Sequence, residues 1–285
     1  MPFLRVQQDF DLFSPVDYIW LTLGTSHYVA SFGVRQVVSK LVAGVGHVHL
    51  GCTISEITPT PAHPTLFDIR CLGSPQTVHE GFHHIIFATQ ACSAVPLLST
   101  LTGDVNELIR CLKTFHYAPT LVINHTDDNL LPNNIHDRRD LNLISAESSF
   151  TSSPSETCLP STYTMATQIV PRPAGFPAHM PDVFQTTNPI IPPREARILS
   201  TARLERAVLT IESKEALEQL YTSDESNWWR KPQDKLGRLQ GKDGIWICGS
   251  YAYKGIPLLE GCVVSAKLVA EGIMRKEGVR LKNPW

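Results

Sequence analysis

The sequence predicts an α/β fold, and three observations predict it. The stretch GIWICGSYAYKGIPLLEGCVVSAKLVAEG, residues 244–272, reads as a buried strand, a turn at Gly249-Ser250 and a helix opening near Pro257. Ile85 to Phe87 is wholly apolar, as a strand covered on both faces must be, and a helix over Ala91–Leu98 follows it. Between residues 47 and 88 runs a series of short strand candidates with turn residues between them.

In the C-terminal stretch, Pro257 suits a first helical position, because its missing N–H would have no partner there. Glu260 falls in the first turn, where the helix dipole favours an acid. Gly261, Cys262, Ser265, Ala266 and Ala270 are small enough to let the helix lie close against a sheet or a bound ring. The N–H groups around Leu258 to Glu260 point out of the helix start, a seat for an electron-rich or anionic group. An ordinary terminal strand and helix with glycine at its bends explains the same residues.

Earlier in the chain, residues 1–24 show no clean periodicity, and Val34 to Ala43 has the apolar spacing of an amphipathic helix. Strands are expected at His47–Leu50, Thr53–Ile57, Leu66–Cys71, Thr77–His79 and His84–Ala88. A better helix spans Asp104–Lys113, and Pro119–Asn124 reads as a strand. Residues 126–161, rich in Asp, Asn, Ser and Pro, read as a long surface excursion, with Asp127-Asp128 a solvated turn. Thr162–Gln168 is a strand candidate. Seven of the 21 prolines lie in residues 171–195, which argues against a helix or a central strand there. A short helix is expected over Lys214–Tyr221.

Composition excludes several functions. The chain of 285 residues is 42% hydrophobic, with a net charge of −2 and no basic run, so nothing in it attracts nucleic acid. The start, MPFLRVQQDFD, lacks the apolar core of a signal peptide, and no apolar run is long enough to span a bilayer. Both features favour a cytoplasmic location. Seven dispersed cysteines without a CxxC pair suggest reduced, mostly buried thiols rather than a disulfide frame or a zinc site. His47 and His49 could share a strand face as metal ligands, but no third ligand is marked, so no metal centre is expected. Ser26-His27 and Ser250 lack a GxSxG elbow. Trp228-Trp229 reads as a helix end packed on a core or as a ligand platform.

Gly249-Ser250, Gly255, Glu260-Gly261 and Ser265 resemble the C-terminal FAD signature of flavin-containing amine oxidases and the related predicted NAD/FAD-binding oxidoreductases. Three further segments fit the same branch in order: LGTSHYVASFGVRQVVSKL (23–41), HHIIFATQACSAVPLL (83–98), and NHTDDNLLP (124–132) with TTNP (186–189). The resemblance implies a partial Rossmann-like FAD/NAD(P)-binding domain with a mixed β-rich substrate region. Residues 1–99 would return the chain to the FAD domain, 100–243 would form the substrate region, and 244–285 the last FAD-binding strand and helix. Gly249, Ser250, Gly255, Leu259, Glu260 and Gly261, with Ala88 and Thr89 at the end of a neighbouring strand, would contact FAD. Tyr251 and Tyr253 would line the pocket of a small-molecule substrate. No general base can be named, since in such enzymes the flavin carries the hydride chemistry.

The family opens with a strand, GxGxxG and a helix that grips the diphosphate. No GxGxxG occurs in these 285 residues, and Gly44-Val-Gly46 has His49 at the third glycine position. The resemblance therefore implies the C-terminal portion of the fold, either a truncated relative, or one completed by a second chain, or one that no longer uses FAD. Leu258 replaces the aromatic of amine oxidases, and Phe32-Gly33 replaces a Gly-Gly, both fitting a loss or change of chemistry. Two readings stand: a flavin-dependent oxidoreductase when completed, and a non-catalytic remnant or interaction protein.

Overall fold

The computed structural model describes residues 30, 33–73, 77–101, 103–147, 162–172, 175–177, 179–208, 210–224, 233–253 and 259–279. Gly255, Pro257, Leu258, Phe32, Ser26-His27 and Trp228-Trp229 lie outside the described residues. The helices are α1 (Val34–Val42), α2 (Ala91–Leu98), α3 (Asn106–Lys113), α4 (Ile211–Leu217) and α5 (Leu259–Lys276). The strands begin with β1 (Thr53–Thr60), β2 (His63–Leu72), β3 (Thr77–Phe82), β4 (Ile85–Phe87), β5 (His116–His125) and β6 (Leu141–Glu147). They continue with β7 (Thr162–Ile169), β8 (Phe184–Thr187), β9 (Ile198–Val208), β10 (Tyr221–Asp224), β11 (Gln233–Leu236) and β12 (Ile245–Ile247). Helices and strands together make a mixed α/β protein, and among the described residues no helix is long and apolar enough to cross a membrane.

The chain divides into two compact units, whose described parts are residues 33–48 with 117–206, and residues 49–116 with 207–279. The second contains both predicted strand–helix pairs. Its parallel pair joins β4 and β12 in register, Ile85 beside Ile245, Trp246 beside Ile86, Ile247 beside Phe87. Ile85, Phe87 and all three β12 residues are buried, but Ile86 is 48% exposed, so β12 is covered on both faces while β4, expected to be, is covered on one. An antiparallel sheet β1-β2-β3 and a hairpin β10-β11 complete its strands. Leu98, Leu112, Leu220, Tyr221, Ile247 and Val269 are almost wholly shielded from solvent and form its core.

The other unit is a five-stranded sheet in the order β6-β7-β8-β5-β9. Two strand expectations fail here for readable reasons. β8 is central although it lies in the proline-rich stretch, because Phe184–Thr187 falls between Pro181 and Pro189 and all four residues keep their N–H groups. β6 lies inside the expected surface excursion, held by a seven-residue antiparallel ladder to β7 while Leu143 and Ile144 stay largely exposed. β9 had no sequence signal: Arg203, Glu205 and Arg206 make it a charged edge strand rather than an alternating one.

Asp127 is no solvated turn. Its carboxylate is 2% exposed and accepts bonds from the Arg194 backbone N–H, from Arg194 Nε and Nη2, and from the Asn129 N–H. The Arg194 hydrogen bonds hold the Asp127 carboxyl well below the usual carboxylate range. The Asp127 N–H donates to His125 Nδ1, and His125 Nε2 lies 2.7 Å from Thr186 Oγ1. Burial lowers the His125 value against the pull of Asp127.

In the first sheet, His47–Leu50 is unpaired and β1 starts at Thr53 instead, after Gly51 takes a left-handed φ of 68°. Cys52 and Cys71 are disulfide-bonded with Cα atoms 6.0 Å apart, which corrects the expectation that the thiols are all reduced. The cause is register: Ile54 faces Cys71, so Cys52, two residues earlier, shares its face.

Candidate functional site

Parallel pairing puts the ends of two strands side by side. The Cys248 N–H donates to Phe87 O over 3.0 Å, so Ala88-Thr89 and Gly249-Ser250 follow neighbouring strands at their carboxyl ends. α2 begins two residues after Thr89, and a short turn over Ser250–Ala252 precedes α5. Ala88 and Thr89 are exposed, and Gly249 and Ser250 half-buried. Leu259 is 82% exposed at the start of α5, with Glu260 also exposed. The described FAD-contact candidates thus share one unit, at strand ends and a helix start.

The turn is fixed from behind by a residue absent from the predicted contact set. Ser265 Oγ accepts the Gly249 N–H at 3.0 Å and lies 3.3 Å from Gly249 O and 3.2 Å from Cys262 O. Ser265 is fully buried, so its hydroxyl ties the end of β12 to α5 without reaching solvent. Sequence pattern placed Ser265 in the terminal motif; only the fold gives it a job. Burial pushes the Cys248 thiol up, and Cys262 adds to the effect.

The outer edge of β12 is closed. Ile247 donates its N–H to Gln240 Oε1 and accepts at its carbonyl from Gln240 Nε2 and from the Tyr221 hydroxyl. Gly241 N–H donates to Ile245 O. Among the described residues β4 has no strand on its far side.

Some expected contacts face inward instead. A Cβ on Gly261 would sit 3.3 Å from the Ser250 carbonyl oxygen and 3.4 Å from Tyr253, so this glycine lets the helix approach its own turn. Tyr251, expected to line a substrate pocket, is 4% exposed and packs edge-on against Phe115 with ring centres 5.0 Å apart. It belongs to the core, because the turn lays its ring against the buried Phe115. Tyr253 is half-buried. A hollow of about 10 Å³ beside Asp104, Leu108, Lys242 and Ile245 is the size of one water and shares no residue with the predicted site.

A flavin ring is therefore tested by two sets of groups. The exposed strand ends and the N–H groups at the start of α5 suit its polar pyrimidine edge; Gly261 and Tyr251 are taken up by the chain's own packing. Of the expected contact residues, Ala88, Thr89, Leu259 and Glu260 are exposed and Gly249 and Ser250 half-buried, so these six are the ones open to such a test. No family model matches the chain, and no curated protein matches it.

Proposed function

We propose that the chain is the C-terminal, flavin-facing portion of an FAD-dependent oxidoreductase of the amine-oxidase type. The observation that carries the reading is the parallel pair β4-β12, each strand delivering a loop and then a helix at its carboxyl end. In open parallel sheets, ligands bind outside those ends. Three-residue parallel pairs rarely stand alone, since parallel strands belong to larger covered sheets. With β12 closed by Gln240 and Gly241, a completing Rossmann-like strand and its glycine-rich loop would add along β4, beside Ile86. That half, from another segment or a second chain, would grip the diphosphate.

When bound, the flavin supplies a hydride acceptor for an organic substrate. This chain's part is to bind and orient. The N–H groups at the start of α5 and the Ser250 hydroxyl would donate to the ring's polar edge, and Leu259 would shield it from water.

Titration with lumiflavin, which has the ring but no diphosphate, tests the seat directly. Saturable quenching of its fluorescence is expected, abolished by Ala88→Arg, a change at an exposed position that leaves the core untouched. Absence of quenching, or quenching that Ala88→Arg leaves intact, rejects the reading. It would favour the second one, a non-catalytic relative, which the filling of the Gly261 approach by Ser250 and Tyr253 supports.

A further inference from the structure

Two sulfurs and one imidazole converge at the end of the β1-β2-β3 sheet, a second imidazole lies against the first, and none of the four belongs to the proposed flavin seat. The ligand atoms of Cys52, Cys71 and His79 all lie within 4.8 Å of one another. The His49 ring meets the His79 ring with centroids 4.4 Å apart at 54°. From this geometry we propose that Cys52, Cys71, His79 and His49 form a structural zinc site in the reduced protein. The proposal does not rest on the flavin reading.

Sheet register builds the cluster. Phe67, Ile69 and Cys71 occupy one face of β2, with Phe67 and Cys71 buried. His79 pairs with Ile69 across β3 and Cys71 with Thr77, so His79 and Cys71 are diagonal neighbours on that face. Long side chains reach across such a diagonal. Cys52 joins through the Ile54–Cys71 pairing. Gly51, in the left-handed region at φ 68°, turns the chain between His49 and Cys52. The four come from the β1 approach, β2 and β3, so one ion would bridge the whole sheet.

Chemistry and distance then select the ion. Zn–S bonds of about 2.3 Å and Zn–N bonds of about 2.0 Å place the ligand atoms of a tetrahedral site roughly 3.3–3.8 Å apart. That spacing fits inside the 4.8 Å spread of Cys52, Cys71 and His79, and His49 would close on the ion from its place against the His79 ring. Two thiolates with two imidazoles form a Cys2His2 set, which suits zinc and excludes calcium and magnesium. The spacing His49-x2-Cys52 is a usual one for two ligands on one turn. A disulfide needs only the cysteines. It gives no reason for a half-buried histidine on the sheet's inner face, nor for a second ring laid against it.

The disulfide and the metal site are two oxidation states of one pair. Reduction breaks the Cys52–Cys71 bond, taking two electrons from a thiol or phosphine reductant and two protons from water to give two thiols. Each thiol releases its proton to solvent as its sulfur binds the ion. Among the described residues Cys92, Cys111, Cys248 and Cys262 are free, and Cys92 is exposed. An exposed free thiol beside several others is the pattern of a reducing compartment, where the pair would be a dithiol.

Cobalt(II) titration of the full chain, reduced with a phosphine and stripped with a chelator, tests the site. The expected result is one cobalt per chain, with thiolate-to-cobalt charge-transfer absorption and the intense visible bands of a tetrahedral centre, bleached by zinc. His79→Ala and His49→Ala should each weaken affinity more than about 100-fold, beyond what loss of an outer partner costs. Cys92→Ser should bind as the parent does. Far-UV circular dichroism checks that each variant stays folded; His49 is exposed and His79 half-buried, so neither substitution opens the core. A Cys52–Cys71 bond that resists the phosphine overturns the proposal. So does a reduced protein with no charge-transfer band, or a band that survives both histidine variants.

Discussion

Replacing Ser265 by alanine isolates a hydrogen-bonding side chain that ties the end of β12 to α5. The substitution deletes the 3.0 Å bond from the Gly249 N–H and the contacts at 3.3 and 3.2 Å to the Gly249 and Cys262 carbonyls. It removes a single oxygen, so no cavity of consequence forms, and the loss is one of hydrogen bonding. A donor stripped of its partner costs about 1–3 kcal/mol when buried; Gly249 is half-buried, so water recovers part and about 1.5 kcal/mol remains. Alanine returns roughly 0.5 kcal/mol through its higher helix propensity. The net expectation is a loss of about 1 kcal/mol, read as a lower urea midpoint with unchanged slope. The sharper assay is amide exchange, where Gly249 alone should speed up about tenfold beyond the global change. Val269→Ala provides the contrast. Val269 is 1% exposed against Trp246 and Cys248, so its truncation should cost about 2 kcal/mol globally without singling out Gly249. A Ser265→Ala protein whose Gly249 amide exchanges as before would refute the claim that this hydroxyl holds the turn.

Two further tests probe the scaffold. Asp127 has a folded pKa depressed below its unfolded value of about 3.9, so its stabilisation is complete above that value and fades as pH falls through the folded one. Asp127→Asn should therefore lower the urea midpoint at neutral pH and flatten the acid limb below about pH 4; an acid limb as steep as the parent's would contradict the assignment. A Cβ at Gly237 would lie 2.8 Å from the Leu220 carbonyl carbon and closer still to the Gln219 backbone, which cannot swing aside. Gly237→Ala should cost about 1–3 kcal/mol by overpacking, and an unchanged thermal midpoint would show that the turn yields.

What could be read beforehand followed from how much of each signal is local. β4, α2, β12 and α5 were readable because unbroken apolar runs and small-residue turns are written in consecutive residues. β9 was not, because an edge strand needs no apolar face and Arg203, Glu205 and Arg206 mimic a loop. Asp127 was misread for the same kind of reason: its partner Arg194 is 67 residues away, and no periodicity links them. Tyr251 looked like a pocket residue in a glycine-rich turn, yet the direction of that turn, which buries the ring on Phe115, depends on tertiary packing.

The cysteines and histidines carry this argument furthest. Spacing pairs His47 with His49, because alternate residues of one strand share a face. That pairing assumes a strand, and among the described residues none forms before Thr53. Once Gly51 turns the chain, His49 instead lies against His79, which two antiparallel registers bring to Cys52 and Cys71. A bulge in β1 between Ile54 and Glu56 lets Ile54 and Ile57, three residues apart, pair with Cys71 and Ile69 on one face of β2. The cluster thus exists only as a property of register. Any change that slips β1 by one residue would send Cys52 to the opposite face and dismantle it, leaving every one of its residues in place in the sequence.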